Sequence, residues 1–217
     1  MRNILTTTAL LAMAASANAD LINATVTADN HYALYTGSTS SVSFVGRNEM
    51  GASGSPGTYN WSRAESWSFT GGAFIYIVAW SDDHVAQGLL AQIAGVSDTY
   101  NSGDSRWEVY PTFVARGDGS AAPTNAELEG HLATADAGNL WQVPHVGGNN
   151  GIAPWGTIAG IAGNIPWMWV QNPGQPNALV GGSGYGETLV FRMAVPAPGA
   201  AALLGLGSVS MMRRKRR

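Results

Sequence analysis

The chain has 217 residues, of which 12% are charged, and it contains no cysteine. That charged fraction is about half the usual ~25%, so the surface must be built largely from Ser, Thr, Asn and Gly, as in many exported β proteins. The missing cysteine excludes disulfides, thiol chemistry and Cys-ligated metal, and an exported domain of this kind must rely on its core.

The N-terminus reads as a secretory leader. Arg2 opens it, Ile4 to Ala17 is mostly apolar or small, and Ala17-Asn18-Ala19 forms an A-x-A cleavage site that would leave Asp20 first. Between the leader and Val195 the chain keeps five arginines (Arg47, Arg63, Arg106, Arg116, Arg192), no lysine and all 14 carboxylates, a net charge of −9. Nucleic acid and anionic membrane are poor partners for such a body, because phosphate contacts need clustered cations. Neutral glycans or cations fit better.

From Leu21 the pattern has period two: Ile22, Ala24 and Val26 share one face, which predicts a half-buried strand. Asp29-Asn30 is a turn signal. His31 to Tyr35 and Ser41 to Gly46 follow as strands, and Glu49 to Asn60 reads as a loop rich in Gly and Ser. Trp61 to Phe69 is strand-like, with Trp67 and Phe69 on one face. Phe74 to Trp80 (FIYIVAW) is apolar on both faces, which predicts a central strand covered on both sides. Ser81 to His84 is a loop and Gly88 to Ile93 another apolar run. Trp107 to Ala115 is strand-like and broken at Pro111. Thr124-Asn125-Ala126-Glu127 is a capping box opening a helix to about Ala135, with Leu128, Leu132 and Ala135 on one stripe. Trp141 to Val143 and Thr157 to Ile161 are short apolar pieces among glycines. Ile165 to Val170 is strand-like, and Glu187 to Val195 alternates cleanly as the last strand. Many short strands with one helix imply an all-β fold, a β-sandwich or jelly roll, over residues 20–195.

Thr27-Ala28-Asp29-Asn30-His31-Tyr32-Ala33-Leu34-Tyr35-Thr36-Gly37 resembles the A-D-N-x-Y-x-L-Y-x-N-G hairpin of galactose-binding-like jelly rolls, with Thr36 where that family commonly has Asn. The Trp-containing segment, the long apolar strand and Gly88-Leu89-Leu90-Ala91 then come in the family's order. The resemblance covers about Asp20 to Ile93 and implies a sandwich domain of that kind.

The last 23 residues form three zones. Pro196 and Pro198 interrupt the final strand, since neither can donate to a ladder. Gly199 to Met212 is a run of 14 residues without charge, and Arg213, Arg214, Lys215, Arg216 and Arg217 end the chain. A helix over Pro198 to Met212 would be about 22 Å long, against a hydrocarbon core of ~30 Å. Terminal cations would hold that end in the cytoplasm and place the body outside. A weak tail anchor is the plain reading. The order of zones also resembles the PEP-CTERM sorting signal of Gram-negative bacteria, with Val195 before Pro196-Ala197-Pro198 where the family has Pro-Glu-Pro. That resemblance implies an exosortase, a membrane transpeptidase, cutting near Pro196 to Pro198 and passing the body to the cell surface or an extracellular polysaccharide matrix.

Eight tryptophans are the strongest compositional feature. An exposed indole face suits the C–H face of a sugar, and its N–H serves a polar partner. Trp67 and Trp80 fall on strand faces and read as core, whereas Trp167 and Trp169 read as core or as an exposed strip. Trp61, beside Asn60 in a loop, and Trp155, between Pro154 and Gly156, are the candidate sugar platforms. Asp29, Asn30 and His31 could line a polar pocket at a sandwich end, and the competing reading is a turn that caps backbone groups. Asp82 and Asp83, beside His84, are candidate calcium ligands, although their spacing matches no calcium motif and a solvated loop is the favoured reading. No other cofactor is implied. Glu65, Glu108 and Glu187 are available for glycoside chemistry, but no motif selects a facing pair. The histidines at 31, 84, 131 and 145 show no metal-ligand spacing, and His131 forms an ordinary helical i, i+4 pair with Glu127. The expectation is a non-catalytic, surface-delivered module that associates with glycan or exopolysaccharide. The alternatives are a structural or adhesion protein of the matrix and a polysaccharide-active enzyme.

Overall fold

Two five-stranded antiparallel sheets face each other, and one helix lies against the outside of the second. The computed structural model describes residues 20–48, 61–81, 86–117, 120–171 and 187–196, with backbone only at Glu187. These belong to a compact unit spanning Ala19–Pro196. The strands are β1 (Leu21–Asp29), β2 (His31–Gly37), β3 (Val42–Arg47), β4 (Glu65–Thr70), β5 (Phe74–Trp80), β6 (Gly88–Ala94), β7 (Glu108–Ala115), β8 (His145–Asn149), β9 (Pro166–Trp169) and β10 (Glu187–Ala194); the helix α1 is Asn125–Gly138. The first sheet runs β4-β1-β6-β9-β8 and the second β3-β2-β5-β10-β7. A β-sandwich with one helix is therefore the architecture. The leader, the segments at 49–60 and 82–85, and the tail beyond Pro196 lie outside the described residues.

The alternating residues of β1 (Ile22, Ala24, Val26, Ala28) meet Ile75, Ile77 and Ala79 of β5 and Leu189, Phe191 and Met193 of β10 in one buried cluster between the sheets. The other face of β5 is buried too. Tyr76, Val78 and Trp80 join Tyr35, Tyr110 and Val190 under Leu128, Leu132 and Ala135 of α1. This is why FIYIVAW carries no polar face: β5 is the middle strand, with a sheet on one side and a helix on the other. The capping box forms as its sequence predicts, with the Thr124 hydroxyl accepting from the Glu127 amide and the Glu127 carboxylate from the Thr124 amide. Those bonds hold the Glu127 carboxyl below the ordinary glutamate range.

Two expectations are corrected. The motif at 27–37 does not make a hairpin: β1 belongs to the first sheet and β2 to the second, so Asp29-Asn30-His31 is an arch between sheets. Period-two alternation assigns faces but leaves the pairing partner open. Pro111 does not break β7, because β7 is the edge strand of its sheet, where a missing donor is tolerated, and the ladder to β10 is irregular there. The glycine-rich β8, which carries no alternation of its own to mark it as a strand, pairs with β9.

The strand directions give the sandwich two unlike ends. The Asp20 carbonyl accepts from the Gly71 amide at 2.7 Å, and the Val195 amide donates to the Ala73 carbonyl at 2.9 Å. Both ends of the domain thus meet the β4–β5 turn, at what we term the base. The opposite end, the tip, carries residues 29–31. There Asp29 lies across from Gly88, His31 from Trp80 and Ala33 from Arg47, and Ala115 lies across from Glu187. The connections β3–β4, β5–β6, β7–α1 and β9–β10 therefore all leave and return at the tip.

Because Leu132 is fully enclosed between α1 and the second sheet, Leu132→Ala should cost about 2–5 kcal/mol, read as a lower urea midpoint. The exposed Thr134→Ala should shift stability by no more than ~0.5 kcal/mol.

Candidate functional site

The tip gathers a cluster of buried polar groups. Asp29, Asn30, His31, Arg47, Asn48, Ser81 and Gln87 are all buried. Asn48 ties the arch down: its amide donates to the Asn30 carbonyl at 2.7 Å, and its side-chain oxygen accepts from the Tyr32 amide at 3.1 Å. The Asn30 side-chain oxygen accepts from the Ser81 hydroxyl at 3.3 Å. His31 stacks on Trp80 with ring centroids 5.0 Å apart. The turn reading of this tripeptide is thus the one these bonds favour, with Asn30 and Asn48 satisfying backbone and side-chain groups of neighbouring strands.

Trp155 is not an exposed sugar platform. It is only 5% exposed, stacks on Trp167 at 4.2 Å, and donates its Nε1–H to Asp29 Oδ2 at 2.8 Å. Its neighbours Pro154 and Gly156 suggested a loop tip, but the loop folds back over the first sheet. Asn150 organises that loop, since its side chain bonds the Ile158 amide and the Ile158 and Ile161 carbonyls. Gln92 of β6 holds it through the Ala162 amide. Trp167 and Trp169 are fully buried, so they supply no exposed aromatic strip.

Trp61 keeps part of its surface open. It is half-buried, and its carbonyl accepts from the Thr27 hydroxyl at 2.8 Å, which fixes it beside the β1 end of the tip. Trp67 is half-buried as well. It lies across Gly46, where any Cβ would sit 2.3 Å from the indole ring. Its Nε1–H donates to the Tyr32 hydroxyl at 2.8 Å, and that hydroxyl donates to Glu65 Oε2 at 3.0 Å. Burial, then the charge of Glu65, pushes the Tyr32 phenol well above its ordinary value. Tyr32 therefore stays protonated and bridges the two sheets.

Of the carboxylates considered for glycoside chemistry, Glu65 stands toward the tip, whereas Glu108 pairs with Arg192 toward the base at 2.7 Å. The Glu187 side chain, Asp82, Asp83 and His84 lie outside the described residues, so the calcium candidate does too. No group of three His, Asp or Glu that could hold a metal occurs among the described residues. His131 is half-buried on α1, its imidazole pushed below the ordinary value by burial and then by the charge of Arg116.

The fold also builds a cationic corner that no motif in the sequence marks. Arg47 of β3 and Arg116 after β7 bring their guanidinium carbons to 5.6 and 5.7 Å from the Trp80 ring centroid. The residues are far apart in the chain, and nothing local marks them as neighbours.

Trp155→Phe would keep the stacking but remove one donor to Asp29. It should destabilise the protein by about 1–3 kcal/mol in urea unfolding, as expected when a buried hydrogen bond to a charged acceptor is lost. No family model, curated protein or solved structure matches this chain.

Proposed function

We propose that this chain is an exported surface protein whose sandwich associates non-catalytically with neutral glycan or exopolysaccharide, with Trp61 at the tip as the sugar platform. In this reading the leader is removed after Ala19. The tail from Pro196 onward is the sorting segment handled by an exosortase-type membrane transpeptidase, and it anchors the chain to the inner membrane before processing. The observation that carries the reading is the half-open indole of Trp61, held beside the β1 end of the tip by the bond from the Thr27 hydroxyl to its carbonyl. Loops clustered at one end of a rigid sandwich are the usual place for binding residues. Asp20 supports the leader boundary. Its carboxylate accepts from the Val96 amide at 2.9 and 3.1 Å, so the first residue left by cleavage is already tied into the fold. Pro196 is exposed, as a processing joint requires.

Two outcomes are expected. The purified protein should be retained by neutral polysaccharide, including that of the producing cell, and Trp61→Ala should weaken retention roughly tenfold, equivalent to ~1.4 kcal/mol. Retention by no polysaccharide would remove the glycan reading. Replacing Arg213 to Arg217 with neutral residues should change cell-surface retention or processing; unchanged release and cleavage would remove the sorting reading.

A further inference from the structure

The arginines of this acidic body are unequally neutralised. Arg106 reaches both Asp98 and Asp104, and Arg192 reaches both Glu108 and Asp136. Arg47 reaches no carboxylate among the described residues; its Nη1 donates to the Ser120 carbonyl at 2.9 Å. Arg116 donates to the Ala121 carbonyl at 2.8 Å and to Glu127 Oε1 at a long 3.4 Å. Glu127 is already committed through its other oxygen to the helix cap.

Among the described residues the corner therefore holds two guanidinium groups and one carboxylate, Glu127, which reaches Arg116 alone of the two. Arg47 is only 5% exposed, and the Nε–H groups of both arginines are buried without an acceptor. A guanidinium carries five donors in a planar fork, and burying such donors unbonded is costly. Burial, then the charge of Arg116, lowers the affinity of Arg47 for its proton. Trp80 offers both groups a π face, a partial compensation. The N-terminus of α1 lies at the same corner, through Thr124 and Glu127, and its dipole adds positive potential.

We propose that Arg47 and Arg116 form an oxyanion site at the tip, one that takes an isolated carboxylate or sulfate group carried by a sparsely charged polysaccharide. Forked guanidiniums match the paired oxygens of such groups. The net charge of −9 on the body repels a dense polyanion at long range, so the ligand carries its oxyanions singly along an otherwise neutral chain. This deepens the glycan reading above and rests on it for the polymer, but the oxyanion site is testable alone.

The test uses the purified full chain and calorimetric titration with four probes: a sparsely uronated polysaccharide, a sparsely sulfated one, a neutral polysaccharide and inorganic sulfate. Arg116 is the variant of choice because its side chain is 15% exposed, and near-UV circular dichroism checks that each variant folds. Arg116→Gln should weaken binding of the acidic polysaccharides at least tenfold and leave binding of the neutral one unchanged. Arg116→Lys, which keeps the charge but not the fork, should also lose several-fold. Trp61→Ala should leave inorganic sulfate binding intact. Sulfate binding without polysaccharide binding would sustain the oxyanion site and sink the glycan reading. A folded Arg116→Gln variant that binds every anionic probe as well as the parent would overturn the site. So would the parent chain binding none of them.

Discussion

The β4–β5 turn holds both ends of the domain. Gly71 donates to the carbonyl of Asp20, and Ala73 accepts from the amide of Val195. Because β1 and β10 both run antiparallel to their neighbours, fixing their outer ends on one turn fixes the polarity of the sandwich. Every long connection that reaches the far end must then start and finish there. The tip is therefore a consequence of strand direction, set by topology before any side chain is considered.

A second constraint shapes what the tip can contain. Each sheet buries its inner face against the other, and each needs a cover outside. The second sheet receives α1, with Leu128, Leu132 and Ala135 turned onto it. The first receives the loop after β8, tied by Asn150, Gln92 and the bond from Trp155 to Asp29. These covers absorb most of the tryptophans. Polar groups that neither cover nor core can accommodate collect at the tip, where Asn48, Ser81 and the arch at 29–31 satisfy one another. The Nε–H groups of the two arginines beside Trp80 have no acceptor among the described residues. The Trp80 ring stacks with His31 and has both guanidinium carbons within 5.7 Å of its centroid, in a body otherwise rich in carboxylates.

Local signals in the sequence were sufficient for much of this. The unbroken FIYIVAW run correctly implied a strand covered on both faces, and Thr124 with Glu127 correctly implied the start of α1. Alternation in β1 and β10 assigned their inner faces. Partners were not legible. Asp29-Asn30 looks like a hairpin turn because a tight turn and an arch between sheets use the same residues. Trp155 looked exposed because its flanking Pro and Gly describe a loop but not what the loop covers; its hydrogen bond spans 126 positions. Arg47 and Arg116 meet only through the fold. Of the candidate site, the sequence located the polar arch and Trp61 but not the cationic corner beside them.

The most direct test of the two-ended architecture uses the natural lack of cysteine. Single pairs of cysteines can be introduced at exposed positions and spin-labelled without background. Leu21 and Val96 lie toward the base and Phe113 toward the tip, all at least half exposed. With about 3.3 Å per strand residue, labels at Leu21 and Phe113 should lie roughly 25 Å apart or more, and labels at Leu21 and Val96 much closer. A Leu21–Phe113 distance as short as the Leu21–Val96 distance would contradict the separation of base from tip.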